Sequence, residues 1–236
     1  MSAAPPVLGR DSPAAAKPSR LRRRAAAADA AYRADGGDLG AWAVRAASVS
    51  GVRHRLAGDG PQDAYAWRVI GSGADGAGAE SLVVAIADGV GTVLGAAAAA
   101  AVAVTAACDA AAESLATGSV ATGSVATGSG AVGSVATQTW WSAVVEAADV
   151  AVRAVGGATT LVVACIDEAG AGSLARIGDS TAMILTGGSW QEIWPPAGID
   201  GAPVSTETEA LPGSRRAEIA AVSIEAGTAL VLMTDG

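Results

Sequence analysis

The sequence predicts an α+β fold in which antiparallel sheets carry helices on their outside, on three observations. Strand-like runs precede and follow two helical stretches instead of alternating with them, which is not the order of βαβ units. The later strands are joined by tight turns, at Glu168–Gly172 and Gly187-Gly188, too short to carry a parallel crossover. The chain is 236 residues long, enough for one domain with a sizeable core and a tail.

In order along the chain, residues 1–38 read as a disordered, basic, Ala/Pro-rich tail with a cluster at Arg20, Arg22, Arg23 and Arg24. Such a cluster is a solvated tail or a contact for an acidic partner or anionic lipid, and no apolar signal-peptide core precedes it. The domain proper is placed at 39–236. Residues 41–50 (AWAVRAASVS) alternate as a strand does, Gly51 to Pro61 is a loop holding His54, and 64–70 is a strand. Residues 71–80 (GSGADGAGAE) form a flexible hairpin connection to a strand at 82–87. Residues 93–115 are an Ala-rich helix. Residues 89–108 carry no charge, yet they are mostly Ala and Gly and are bracketed by Asp88 and Asp109, so a buried helix is expected and no membrane span. Residues 117–137 repeat a TGSVA-like unit too short and too Gly/Ser-rich to fold alone, which makes them a low-complexity surface loop. A second helix runs from Thr139 to Val155 and stops at Gly156-Gly157. Strands follow at 158–167, 173–178, 181–186 and 189–194, then a Pro- and Gly-containing loop from Pro195 to Gly213, then strands at about 217–224 and 229–234.

Composition narrows the function. Hydrophobic residues make up 51% of the chain, largely as alanine, and phenylalanine is absent, so the six tryptophans must supply most of the bulky packing. The formal charge of −8 conceals an acidic body, since residues 1–36 hold seven Lys/Arg against three acids. An acidic body argues against nucleic acid as a partner and suits a protein that holds cations. Cys108 and Cys165 lie in apolar runs with no CxxC and no nearby His, which reads as buried structural thiols in a reducing, cytoplasmic setting. One histidine and no G-x-S-x-G leave no nucleophile triad, no Walker lysine follows the Gly-rich pieces, and the Cys/His count does not support a zinc site.

A carboxylate pattern remains. Three apolar runs end in an aspartate followed by a small residue, at Asp88-Gly89, Asp179-Ser180 and Asp235-Gly236, and Asp63 stands just ahead of a fourth run. Any one of them is an ordinary turn former. Recurrence at strand ends points instead to a shared destination, a hard divalent cation such as Mg²⁺ or Mn²⁺, because buried strands disfavour carboxylates and a cation offsets their repulsion. Carboxylates around two such ions would hold a bridging hydroxide and neutralise a phosphoryl group during in-line displacement, which is phosphoester hydrolysis without a protein nucleophile.

The ordered motifs Gly51-x-x-His54-x-x-x-Gly58-x-x-x-Gln62-Asp63-Ala64, Ala87-Asp88-Gly89-Val90-Gly91, Gly157-Ala158-Thr159-Thr160-Leu161, Arg176-Ile177-Gly178-Asp179-Ser180 and Leu232-Met233-Thr234-Asp235-Gly236 resemble those of the type 2C metal-dependent serine/threonine protein phosphatases, in particular a bacterial branch. The resemblance covers about residues 41–236. It implies a sandwich of two antiparallel β-sheets flanked by helices in α-β-β-α order, and hydrolysis of phosphoserine or phosphothreonine in a phosphoprotein substrate with two Mn²⁺ or Mg²⁺ ions and a third, weaker one. Carried over, Asp63 acts in or next to the metal shell and Asp88 bridges two metals, the two being the catalytic pair. The Gly89 carbonyl and Asp235 are further ligands, and Asp179 serves the third metal.

Departures from the family pattern are specific. The arginine that many members place five residues before the first aspartate is Gly58 here, which leaves His54 or Arg55 to bind the substrate phosphate. Val90 replaces a candidate general acid, so water would protonate the leaving group, and Gln62 replaces a glutamate. The sequence ends at Gly236, before the family's closing helix and strand and a last aspartate, so weaker metal affinity and exposed sheet edges are expected. Two other readings stay open: a catalytically impaired phosphatase-like binding or regulatory module, and an Ala-rich structural protein whose aspartates only start turns.

Overall fold

The computed structural model describes residues 32–39, 41–57, 60–71, 80–91, 95–116, 135–194, 209–213 and 216–235. In chain order the elements are β1 (Tyr32–Leu39), β2 (Trp42–Val49), α1 (Val52–Ala57), β3 (Ala64–Gly71), β4 (Glu80–Ala87), α2 (Ala96–Ala116), α3 (Val135–Val155), β5 (Leu161–Asp167), β6 (Ala171–Ile177), β7 (Thr181–Thr186), β8 (Ser189–Glu192), β9 (Glu218–Ser223) and β10 (Ala229–Met233).

Strand β5 is apolar in every position but its last, and a run of that kind is stable where both faces are covered. It forms the middle of a five-stranded antiparallel sheet ordered β3-β4-β5-β6-β9. Alternation along the strands divides the side chains cleanly. Ala64 and Ala66 of β3, Val83, Ala85 and Ala87 of β4, and Leu161, Val163 and Cys165 of β5 face α2 and α3. Tyr65, Trp67, Leu82, Val84, Ala164, Ile166, Leu174 and Val222 face the other way, onto a second layer of strands. That layer consists of the β1-β2 hairpin and a sheet ordered β10-β7-β8, two separate ladders among the described residues. Between β2 and β10 lies a groove of about 910 Å³, floored by Tyr65, Trp67 and Val84.

Helix α2 is alanine on most of its buried side, and Ala99, Ala100, Ala103, Ala107 and Ala111 are fully buried. Side chains this small let α2 seat closely on the sheet and on α3. Trp141 on α3 supplies bulk, fully buried with its indole Nε1 donating to Ser173 Oγ of β6 at 3.1 Å, and Trp140 meets it edge-on at 4.4 Å between ring centroids. α2 is long and apolar enough to cross a membrane by length and composition. Nine of its residues are buried against protein. Cys108 and Cys165 are free and buried in the core shared by helices and sheet, and burial pushes both thiols up to about 12.

The α+β class and antiparallel sheets expected from the sequence are present. Several boundaries differ. Residues 32–38, assigned to the tail by composition, form most of β1, which pairs along its whole length with β2 from Tyr32↔Val49 to Leu39↔Trp42. α1 occupies part of the expected loop 51–61. Helix α3 begins at Val135, so the last residues of the low-complexity segment belong to a helix. Strand β5 begins at Leu161, not 158, because Thr159 and Thr160 bond elsewhere, as shown below. Residues 1–31, 72–79, 117–134 and 195–208 lie outside the described residues, as do any calls on them. Among the described residues the long helices cover one outer face only.

The alanine seam sets the direction of its own vulnerability. Replacing Ala103 by leucine should overpack the helix–sheet contact and lower stability by about 1–3 kcal/mol, read as a shift of the urea midpoint with an unchanged slope. An unshifted midpoint would show that α2 does not seat on the sheet as described.

Candidate metal centre

The pairing registers bring the aspartates together. β3 and β4 pair with Ala64 opposite Ala87, so Asp63 and Asp88 sit opposite each other one step beyond the ladder. β4 and β5 pair with Ile86 opposite Val162, which sets Thr160 opposite Asp88. β5 and β6 pair with Leu161 opposite Ile177, which sets Gly178 opposite Thr160. Asp63, Asp88, Thr160 and Gly178 therefore form a row across one end of the sheet. By alternation, Asp63 and Asp88 follow Tyr65 and Ile86 onto the face toward the second layer. β10 ends at that same end and delivers Asp235 two residues past Met233.

The backbone of Asp88 is fixed on both sides. Its N–H donates to Thr160 Oγ1 at 3.1 Å, and its carbonyl accepts from Thr160 N–H at 2.9 Å and from Thr159 Oγ1 at 2.7 Å. Thr160 Oγ1 also pairs with Ser180 Oγ at 2.8 Å, and both residues are buried. Gly89 forms an isolated bridge with Thr159, and a Cβ there would lie 2.7 Å from the Ala96 backbone at the start of α2, so no larger residue fits. Gly178 meets two requirements at once. Its φ of +96° is in the left-handed region, and a Cβ on it would lie 2.7 Å from Thr160 Cγ2.

Asp88 is half-buried, and the carboxyls of Asp63 and Asp235 lie within hydrogen-bonding reach of its own. Its acidity responds accordingly. Burial first, then the hydrogen bond and charge of Asp63, then those of Asp235, push it up to about 8. Asp63 Oδ1 is buried and has no hydrogen-bond partner among the described residues. An orphaned carboxylate oxygen beside a carboxyl that resists ionisation is a donor set short of positive charge, all oxygen, and it fits a hard divalent cation. Among the described residues, however, no group of three or more His, Cys, Asp or Glu is already arranged to hold an ion.

The other expected site residues lie around this row. Asp179 is exposed on the turn after β6, two strands from Asp88 or roughly 10 Å at the usual strand spacing. It is thus apart from the three clustered carboxyls. α1 carries His54, half-buried, with Nδ1 3.4 Å from Gln62 Nε2, and Gln62 adjoins Asp63. Arg55 is exposed on the same helix. Neither figures among the charges acting on Asp88. Gly58 lies outside the described residues. Thr159, Thr160 and Ser180 belong to the sequence motifs but carry no expected role there. Two hydroxyl residues directly before the all-apolar β5 were the available signal.

The sequence profile of the protein phosphatase 2C family matches residues 50–236. No curated protein matches the chain. Among solved structures, the catalytic domain of the serine/threonine protein phosphatase PstP in complex with two manganese ions is similar at 22% identity and a TM-score of 0.42, over 72% of this chain and 76% of that one. A chain from work on the bacterial stressosome is similar at 18% identity and a TM-score of 0.43, over 74% of this chain and 68% of that one. The phosphatase domain of SpoIIE from Bacillus subtilis, with a fragment of its regulatory domain, is similar at 13% identity and a TM-score of 0.44, over 87% of this chain and 54% of that one.

A raised carboxyl pKa means that the folded protein holds the Asp88 proton more tightly than the unfolded chain does. Stability of the metal-free protein should therefore fall as pH rises from about the ordinary value of 3.8 toward about 8. Urea midpoints in EDTA at pH 5 and pH 8 should show this fall, and Asp88→Asn should flatten it. A slope that survives the substitution would place the titration elsewhere.

Proposed function

Because the chain belongs to the protein phosphatase 2C family, we propose that it hydrolyses phosphoserine and phosphothreonine in proteins with Mn²⁺ or Mg²⁺ bound at the Asp63–Asp88–Asp235 cluster. The observation that carries the reading is the meeting of these three carboxyls at one end of the sheet, with the central one driven toward its neutral form by burial first and then by the other two. Such a cluster gains stability when a cation enters, since the cation's attraction for each carboxylate offsets both their burial and their mutual repulsion.

Each residue has a role in this reading. Asp88, whose backbone is clamped on both sides, would be the central ligand. Asp63 brings an oxygen that no protein donor satisfies, and Asp235 brings a third carboxylate from the opposite layer. The Gly89 carbonyl adds a neutral oxygen. Asp179, two strands away, holds a further, weaker cation. Bound there, divalent ions would supply Lewis acidity and positive charge to a phosphoryl group. His54, which meets Gln62 next to Asp63, and Arg55, exposed on the same helix α1, are the groups this reading assigns to orient the substrate phosphate. With Val90 after Gly89, no side chain of the Asp-Gly turn protonates the leaving group, and solvent does. A cytoplasmic setting belongs to the same reading, supported by two buried, free thiols.

A second reading, a phosphatase-like module that binds a partner without turnover, has one observation in its favour. Among the described residues no group of three or more His, Cys, Asp or Glu is arranged to hold an ion.

Hydrolysis of p-nitrophenyl phosphate at about 2 mM Mn²⁺, a level that fills weak oxygen-ligand sites, separates the two. The phosphatase reading expects turnover that EDTA removes and that Asp88→Asn lowers by more than the roughly 10–100-fold typical of outer-shell changes. No turnover by a folded, Mn²⁺-saturated chain would leave the binding module. On a phosphopeptide substrate, His54→Ala and Arg55→Ala should raise KM with kcat little changed, the mark of lost ground-state binding. Unchanged KM in both would remove α1 from the phosphate site.

A further inference from the structure

A buried carboxylate far from the cluster in sequence is tied to it by hydrogen bonds joined through the backbone of residues 211–213. Asp149 lies in the middle of α3 with its side chain fully buried. Arg153, one turn on and half-exposed, donates through Nε to Asp149 Oδ2 at 2.6 Å. The other oxygen, Oδ1, accepts the backbone N–H of Gly213 at 2.8 Å, 64 residues away. That bond pins the 211–213 segment, whose Leu211 is fully buried and pairs reciprocally with Thr159: Leu211 N–H donates to Thr159 O at 2.8 Å, and Thr159 N–H donates to Leu211 O at 2.9 Å. Thr159 Oγ1 in turn donates to the carbonyl of Asp88 at 2.7 Å.

A charge inside a helix–sheet interface is costly unless something fixed requires it. Helix packing alone does not require one here, since the neighbouring buried positions of α3, Val145, Ala148 and Val152, are apolar. An ion pair with Arg153 could form equally well on the exposed side of the helix, where i,i+4 pairs are ordinary. What only an inward carboxylate can do is accept the Gly213 N–H, a charge-assisted bond stronger than a neutral one. Without it the 211–213 segment would keep, among the described residues, the packing of Leu211 and the two Thr159 bonds, neither of which holds Gly213 itself.

We propose that Asp149 is a positioning residue for Asp88: by holding Gly213, it fixes Leu211 against Thr159 and so fixes the backbone that carries the central carboxylate. Its action runs through the backbone from the far side of the sheet, and it touches neither substrate nor cation. The inference rests on the reading of the Asp63–Asp88–Asp235 cluster as a metal centre.

The test compares native-state amide hydrogen exchange and Mn²⁺ affinity in the wild type and in Asp149→Ala. Exchange is expected to speed up tenfold or more at Thr159, Thr160 and Asp88, whose N–H groups bond within this series, with Val163 and Cys165 in the middle of β5 unchanged. Mn²⁺ affinity, followed by electron paramagnetic resonance of the free ion, is expected to weaken about tenfold, the scale of changes behind a ligand shell. If Asp149→Ala does not fold, Asp149→Asn reads the same contrast: its neutral oxygen holds Gly213 less firmly, and the same amides should exchange severalfold faster. Arg153→Ala, which leaves the Gly213 bond in place, should leave those amides protected. Faster exchange at Gly213 with unchanged protection at Thr160 and Asp88 would overturn the proposal, and so would a uniform loss across β5 or unaltered Mn²⁺ affinity. A wild type that binds no Mn²⁺ would instead defeat the metal reading, while the exchange result would still show whether Asp149 holds Asp88.

Discussion

Three carboxylates brought to one end of a sheet repel each other, and the structure around them is arranged to resist that repulsion. The resistance is supplied mainly by backbone. Asp88 follows directly on a buried strand, and both its N–H and its carbonyl are held by the Thr159–Thr160 pair from the neighbouring strand. Fixing the peptide units on each side of the carboxylate leaves only its side-chain torsions free. The same clamp explains why β5 starts late: the two threonines give up ladder positions to hold Asp88.

Small residues do for the layers what the threonines do for the site. Gly89 lets the Asp-Gly turn lie against the first turn of α2, and Gly178 lets the turn after β6 lie against Thr160. Both close approaches occur at the end of the sheet where the aspartates meet. The alanine face of α2 brings that helix near enough to complete the contact. Bulk enters at few places, chiefly Trp141 on the helix side and Trp67 with Tyr65 on the strand side, stacked at 6.1 Å between centroids. A chain without phenylalanine thus builds two different cores, one of alanine and valine beneath the helices and one of aromatic and branched residues between the strand layers.

Much of this could be read from the residues. The apolar runs located most of the strands because alternation and β-branched content speak directly to pleated, buried surface, as in β4 and β5. The aspartates at the strand ends were visible as carboxylates in the wrong company, and registers that the sequence does not display turned Asp63 and Asp88 into neighbours. β1 was missed because its sequence, YRADGGDL, has the composition of a turn. Its strand form depends on pairing with β2, a tertiary effect that local propensity does not carry. α1 was missed for a related reason, being six residues long and too short to show a period. Asp149 was invisible as anything but a helix-surface acid, since its partner at Gly213 is remote in sequence.

The two thiols are buried in one core, one on α2 and one in the central strand, and neither is ionised near neutrality. An alkylating reagent needs a thiolate it can reach, so the native protein is silent toward it. Each opening that separates helix from sheet exposes both cysteines together. The chain therefore carries its own clock for such openings, wound by packing alone, in which the pace of labelling counts how often the helical layer lifts away.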